Sequence, residues 1–310
     1  EVGQQILAKG GNAVDAAVAV GFALAVTLPR AGNLGGSGFM LVHKADKKET
    51  IALDYRSVAP LAATMGRSME GAHYHELRLA LNGPIAPGVP GTVAGLYLAW
   101  QRYGSLPWTD LLQPAYDLAN LGFTVTDDLA YALANGVSTL SRYERSTAIY
   151  LKGNSESLEA GDLLVQKNLA WSISQIQQHG ADAFYRGEVG RRIVDAVQAG
   201  GGLISMKDLA SYKVRLRKPI LARYRNHAVV SMAPVSAGGV TLIQMLNILN
   251  NFDLDKYEQG SAKSLHLLAE VMKRAAANRR THLGDPDFVD IPMEGYTSKQ
   301  LARHMAEGIN

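Results

Sequence analysis

Residues 13–28 read AVDAAVAVGFALAVTL, an almost unbroken apolar run whose one charge is Asp15. The run is shorter than the ~20 apolar residues that cross a bilayer, and the charge at its start argues further against a membrane span. A helix that is apolar on nearly every side has to be covered on nearly every side, so the run predicts a central helix of a layered fold. Asn12 and Asp15 mark its start: the amide caps free N–H groups, and the carboxylate suits the positive end of the helix dipole. Pro29 sets its end.

A glycine-rich stretch, AGNLGGSGFM, follows at 31–40. Residues 39–43 are short and apolar, and 45–49 form a polar turn. TIALDYR at 50–56 then alternates, with Ile51, Leu53 and Tyr55 on one side and Ala52, Asp54 and Arg56 on the other. This predicts a hairpin of two half-buried strands. Beyond Pro60 the pattern is mostly helical, with helices predicted near 96–103, 109–121, 126–134, 167–179, 188–199, 206–211, 240–250 and 262–281. GVPGTVAG at 88–95 is the turn into the first of these, and Ser205 with Asp208 resembles a capping box. Strand character returns at 223–232. Two strand clusters, 37–56 and 219–232, close no sheet in so helical a chain, so the missing strands are expected in another chain.

The 310 residues are enough for one large domain or two small ones. A hydrophobic content of 47% with 19% charged residues is that of an ordinary globular protein. The net charge of +3 and dispersed Lys and Arg argue against nucleic acid as a partner. The absence of cysteine rules out disulfides, thiolate zinc sites and a cysteine nucleophile, and fits an oxidising compartment. The chain opens inside a helical pattern, EVGQQILAKGG, with no legible signal peptide, and a processed or longer precursor is expected.

A phosphate cradle needs strand, glycine loop, then helix. Around NLGGSG the order is helix, glycines, strand, and no Gly-Lys-Ser/Thr follows. Gly35-Gly36-Ser37-Gly38-Phe39 also lacks the last glycine of a nucleophile elbow. The stretch therefore reads as a tight reversal in which small residues let backbones approach. His73 and His75 beside Glu76 lie in a polar segment without a metal-binding helix pattern, so they read as solvated loop residues. Asp285 and Asp287 in GDPD read as a turn, because no further acids stand at calcium or glycosidase spacing. Arg56 ends a strand beside Asp54. Its pattern leaves two readings open: a structural or solvated arginine paired with Asp54, or a planar fork presented to a carboxylate.

Six stretches together carry a resemblance: GGNAVDAAVAVGFALAVT, AGNLGGSGFM, DYRSVAP, PGVPGTVAG, GGLISMKDLASY and LGDPDF. In order and spread from residue 10 to residue 288, they resemble the large subunit of the γ-glutamyltranspeptidases. The resemblance implies an α+β fold of the N-terminal nucleophile hydrolase class, a four-layer αββα sandwich. Residues 1–310 would be the large subunit of that one domain, completed by a second chain, the small subunit cut from the same precursor. It implies a threonine nucleophile at the small subunit's N-terminus, hence no catalytic residue in this chain. Internal threonines such as Thr92 lack the free amine the mechanism needs. By resemblance, this chain alone is expected to be inert.

The resemblance also decides between the two readings of Arg56, placing it at the family's arginine that grips the α-carboxylate of the γ-glutamyl group. It implies no cofactor and no metal. The implied partners are glutathione and related γ-glutamyl compounds, amino-acid or peptide acceptors, and the small subunit of a heterodimer. The implied location is the bacterial periplasm or medium. Ser37 stands where the family usually has glycine, and PVSAGG at 234–239 departs from the family's paired serines, so no role is carried onto Ser236. Two alternatives share the fold: a glutaryl- or cephalosporin-type acylase, and a homologue that never matures and serves as a scaffold.

Overall fold

The computed structural model describes residues 1–63, 82–153 and 156–309. His73, His75 and Glu76 lie outside the described residues. The chain divides into two compact units: Glu1–Gly38 with Tyr55–Arg215, and Phe39–Asp54 with Leu216–Asn310. Helices dominate and strands are short, which makes the architecture α+β.

The first unit carries helices α1 (Val2–Ala8), α2 (Ala13–Thr27), α3 (Thr92–Tyr103), α4 (Trp108–Leu121), α5 (Asp127–Leu140), α6 (Glu144–Tyr150), α7 (Lys167–His179), α8 (Asp182–Tyr185), α9 (Glu188–Ala199) and α10 (Met206–Ser211). The predicted central helix is α2. Val18, Ala19, Phe22 and Val26 on it are wholly buried, and of its large apolar side chains only Leu24 opens outward, at 40% exposure. Gly21 lets α3 come close, since a Cβ there would stand 2.9 Å from Leu96 Cδ1. The Phe22 and Trp108 rings meet edge to face at 5.5 Å.

Asp15 is buried at the start of this core, and its carboxylate is fully used. It accepts from the Asn12 N–H at 2.9 Å, from the Ser105 hydroxyl at 2.6 Å and from the Ser105 N–H at 3.0 Å. Asn12 in turn caps α2 by accepting from the Val14 and Asp15 N–H groups, and donates to the Tyr103 carbonyl at 2.7 Å. The start of α2 and the end of α3 are thus tied by one carboxylate and one amide. Burial pushes the Asp15 carboxyl up, but the Ser105 hydroxyl and the Asn12, Ser105 and Leu106 N–H groups outweigh it and hold the group below its ordinary value.

In the second unit, β1 (Gly38–Lys44), β2 (Glu49–Tyr55) and β3 (Arg215–Arg217) form a sheet in the order β1-β2-β3. The first two are the predicted hairpin. However, β2 is the middle strand and its residues 52–55 are all buried, so it is covered on both faces and not half-buried as the alternation predicts. The predicted strand at 223–232 is a separate antiparallel hairpin of β4 (Ile220–Tyr224) and β5 (His227–Ser231). Its two-residue turn, Arg225-Asn226, puts Arg225 at φ +49°. A turn without glycine is hard to see in a sequence, because glycine is the residue that normally supplies positive φ. Helices α11 (Ala237–Leu249), α12 (Ala262–His282), α13 (Met293–Tyr296) and α14 (Lys299–Ala306) complete this unit, and Ile248, Leu267, Val271, Ala302 and Ala306 form its core. Among the described residues no helix is long and apolar enough to cross a membrane.

Asp15→Ala should lower the unfolding free energy by about 2 kcal/mol in urea titration, because it removes the acceptor of the partly buried hydrogen bonds from the Asn12, Ser105 and Leu106 N–H groups and the Ser105 hydroxyl. Since the folded carboxyl sits below its ordinary value near 3.8, its contribution is present above that pH and disappears as the pH falls below it. The wild type should therefore lose more stability than Asp15→Ala on acidification through that window.

Candidate functional site

Arg56 follows the last residue of β2, and its side chain is exposed. In the first unit the segment it begins is secured by backbone and hydroxyl contacts. Val58 and Val89 exchange both backbone hydrogen bonds, Val89 N–H to Val58 O at 2.8 Å and Val58 N–H to Val89 O at 3.3 Å. The Leu61 N–H donates to Asp208 Oδ1 at 2.7 Å. The Tyr212 hydroxyl donates to the Arg56 carbonyl at 2.9 Å. Three of the stretches that carry the family resemblance therefore converge here: DYRSVAP supplies the arginine, PGVPGTVAG the facing turn, and GGLISMKDLASY both Asp208 and Tyr212.

The predicted capping box is present at α10: Ser205 Oγ accepts from the Asp208 N–H, while Asp208 Oδ2 accepts from the Ser205 N–H at 2.8 Å. Asp208 is buried, which pushes its carboxyl up, but the Leu61 and Ser205 bonds hold it below the ordinary range. One carboxylate thus caps a helix and anchors the segment after Arg56.

The convergence requires glycine at two places. A Cβ on Gly91 would lie 2.0 Å from the Tyr55 carbonyl oxygen and 2.1 Å from the Tyr212 hydroxyl. A Cβ on Gly95, inside α3, would lie 2.2 Å from Tyr55 Cγ. The glycine cluster serves the same junction. The Gly36 carbonyl accepts from the Gly91 N–H at 2.9 Å and the Thr92 N–H at 3.1 Å, satisfying donors at the start of α3. No residue from 32 to 38 has positive φ, so these glycines provide close approach and Ser37 costs no special backbone angle. Thr92 is the first residue of α3, and its nitrogen is an ordinary amide donor.

In the second unit, Asp54 is buried and accepts from Arg217 Nε at 3.0 Å. Arg217 gives its remaining edge to Asp287, Nη1 to Oδ1 at 2.8 Å and Nη2 to Oδ2 at 3.2 Å. Asp287 first, then Asp54, hold the Arg217 charge more firmly than in water. Asp285 and Asp287 do form the predicted turn, with the Asp287 N–H donating to Asp285 Oδ1 at 2.9 Å. The turn also carries a guanidinium, which the turn reading leaves out. Arg217 is the residue that sequence reasoning misses. No local pattern signals it, because its carboxylates lie 163 and 70 positions away.

A cavity of about 1150 Å³ in the first unit is lined by Gly35, Pro90, Tyr150, Gln166 and Trp171 among others. Arg56 is not among its lining residues, so cavity size alone does not lead to the arginine. Among the described residues no cluster of three or more His, Asp or Glu is placed to hold a metal.

The sequence matches the Gamma-glutamyltranspeptidase family over residues 1–310. The chain belongs to the gamma-glutamyltranspeptidase family. It is 47% identical over 311 residues to the glutathione hydrolase proenzyme of Escherichia coli (strain K12), a match covering 100% of this chain and 53% of that relative. The chain thus spans about half the length of the curated relatives it matches. Among solved structures it is similar to the gamma-glutamyltranspeptidase of Helicobacter pylori, with TM-score 0.94 and 40% identity over 100% of this chain and 88% of that one. It is also similar to the gamma-glutamyltranspeptidase from Pseudomonas nitroreducens complexed with L-DON, with TM-score 0.92 and 36% identity over 100% of this chain and 91% of that one. These likenesses bear out the N-terminal nucleophile hydrolase fold that the sequence resemblance implies.

Gly95→Ala sets two effects against each other. Alanine gains about 1 kcal/mol of helix propensity, while a Cβ inside the Tyr55 ring costs more than ordinary overpacking, about 3 kcal/mol. The net expectation is a lower unfolding midpoint in urea, and an unchanged or raised midpoint would mean that Tyr55 does not sit against α3.

Proposed function

We propose that this chain is the large-subunit part of a γ-glutamyltransferase that hydrolyses glutathione or transfers its γ-glutamyl group. On this reading, residues 1–310 contribute to one αββα sandwich completed by a small subunit from the same precursor. The mature enzyme is then a heterodimer acting in the periplasm or medium. The small subunit's N-terminal threonine attacks the γ-carbonyl carbon, and its own α-amino group accepts the hydroxyl proton. The amide C–N bond breaks, the proton passes to the departing amine, and a γ-glutamyl ester remains. The amine of an amino acid or peptide, or a water molecule, then attacks the ester and restores the threonine.

Arg56 is the substrate contact of this chain. Its guanidinium offers two parallel N–H donors to the donor's α-carboxylate, a geometry a lysine ammonium cannot copy. The observation that carries the reading is the position of Arg56: an exposed arginine opening a tightly secured segment, in a chain that matches the family along its whole length. An acylase of the same fold would also use an arginine for a carboxylate, so a donor series that includes a glutaryl amide separates the two.

The first test is the full-length precursor on a denaturing gel, with the N-terminus of any second fragment sequenced. A fragment beginning with threonine supports the enzyme, and a single uncut band supports the scaffold alternative. Arg56→Lys in the cleaved enzyme should raise KM for γ-glutamyl-p-nitroanilide by about 10- to 100-fold, the value of a lost charge-assisted pair. Kinetics within about threefold of wild type would overturn the assignment of Arg56.

A further inference from the structure

We propose that Tyr212 is a positioning residue for donor binding: its hydroxyl fixes the Arg56 carbonyl, and with it the direction in which the guanidinium leaves the backbone. The inference rests on Arg56 being the donor-carboxylate arginine.

Four observations within the first unit support it. The Tyr212 hydroxyl donates to the Arg56 carbonyl at 2.9 Å, across 156 positions of sequence. The Tyr212 ring stacks on that of Tyr185, with centroids 5.6 Å apart and planes 10° from parallel. Tyr185 is buried, and its hydroxyl donates to the Pro90 carbonyl at 2.9 Å and accepts from the Ala94 N–H at 3.2 Å. Gly91, between Pro90 and α3, has no side chain to block the Tyr55 carbonyl or the Tyr212 hydroxyl. Arg56 is therefore referenced, through two stacked phenols, to the turn that starts α3. Burial pushes the Tyr185 hydroxyl well up, with only the Ala94 N–H opposing, so it keeps its proton and remains the donor to Pro90.

The arrangement suits positioning better than bulk support. A backbone carbonyl sets the peptide plane, and the peptide plane sets where the side chain starts. Over the length of an arginine, a rotation of about 10° at the Cα displaces the guanidinium by about 1 Å, the scale at which a placed group loses its function. A bidentate contact is more sensitive to such an error than a single ionic contact, because both N–H···O lines must be met together.

The test uses the cleaved full-length enzyme and two donors: γ-glutamyl-p-nitroanilide, and 4-aminobutanoyl-p-nitroanilide, which keeps the amine but lacks the carboxylate. Tyr212→Phe keeps the ring stack and removes the hydroxyl. It should raise KM for the first donor about fivefold, the worth of one neutral hydrogen bond, and leave kcat within about twofold. It should leave the second donor unaffected, and in an Arg56→Ala background it should change neither. If Tyr212→Phe does not mature, Tyr185→Phe gives the same reading, with a donor-selective rise in KM expected. An unchanged KM for the γ-glutamyl donor overturns the inference, as does an equal loss on both donors, which is the mark of general destabilisation. If Arg56→Ala itself leaves donor KM unchanged, the donor assignment falls and this inference falls with it. An Arg56 effect without a Tyr212 effect overturns this inference alone.

Discussion

The placement of Arg56 depends on one close approach, that of Gly91 to the Tyr55 carbonyl and the Tyr212 hydroxyl. Any side chain at 91 would occupy the space in which those two groups meet. Because glycine stands there, the chain leaving β2 can lie directly against the turn that begins α3. The Val58–Val89 bridge, the Asp208 bond to Leu61 and the Gly36 bonds to Gly91 and Thr92 all become possible around that contact. These are mostly backbone bonds. Each is worth little alone, but leaving any of the same groups buried and unpaired would cost more than the bond gains. The junction is therefore favoured as a set.

Helix ends were the most legible part of the fold. Asn12 with Asp15 and Ser205 with Asp208 form reciprocal caps, and such caps are local in sequence. What the same carboxylates do next was not legible. Asp15 also reaches Ser105, and Asp208 also reaches Leu61, contacts 90 and 147 positions away. A residue in a local motif declares its near partner and hides its far one. Strands were harder to read. β2 alternates as if one face met water, yet it lies between two other strands with its last residues buried on both faces. Alternation reports residue types, whereas coverage depends on what packs above and below.

The candidate site shows the same division. The residue pattern around Arg56 left a structural arginine and a carboxylate fork both open, and only the resemblance of six ordered stretches chose between them. Tyr212 stood in plain view at the end of GGLISMKDLASY, but a tyrosine after a short helix carries no chemical signal until its hydroxyl is seen on the Arg56 carbonyl. The spacing around Asp54 gives no sign of Arg217, whose Nε donates to its carboxylate.

The Arg217 bridges also bear on the order of events in folding. Contacts to Asp54 and Asp287 close loops of 163 and 70 residues, so their entropy must be given up before either bond returns anything. Caps such as Asn12–Asp15 form within a single turn and can be in place early. Bonds that close late are absent from the transition state, and such bonds leave the folding rate largely untouched while slowing escape from the native state. In this chain, then, the local caps can form without any long loop being closed, whereas the doubly paired arginine waits on two.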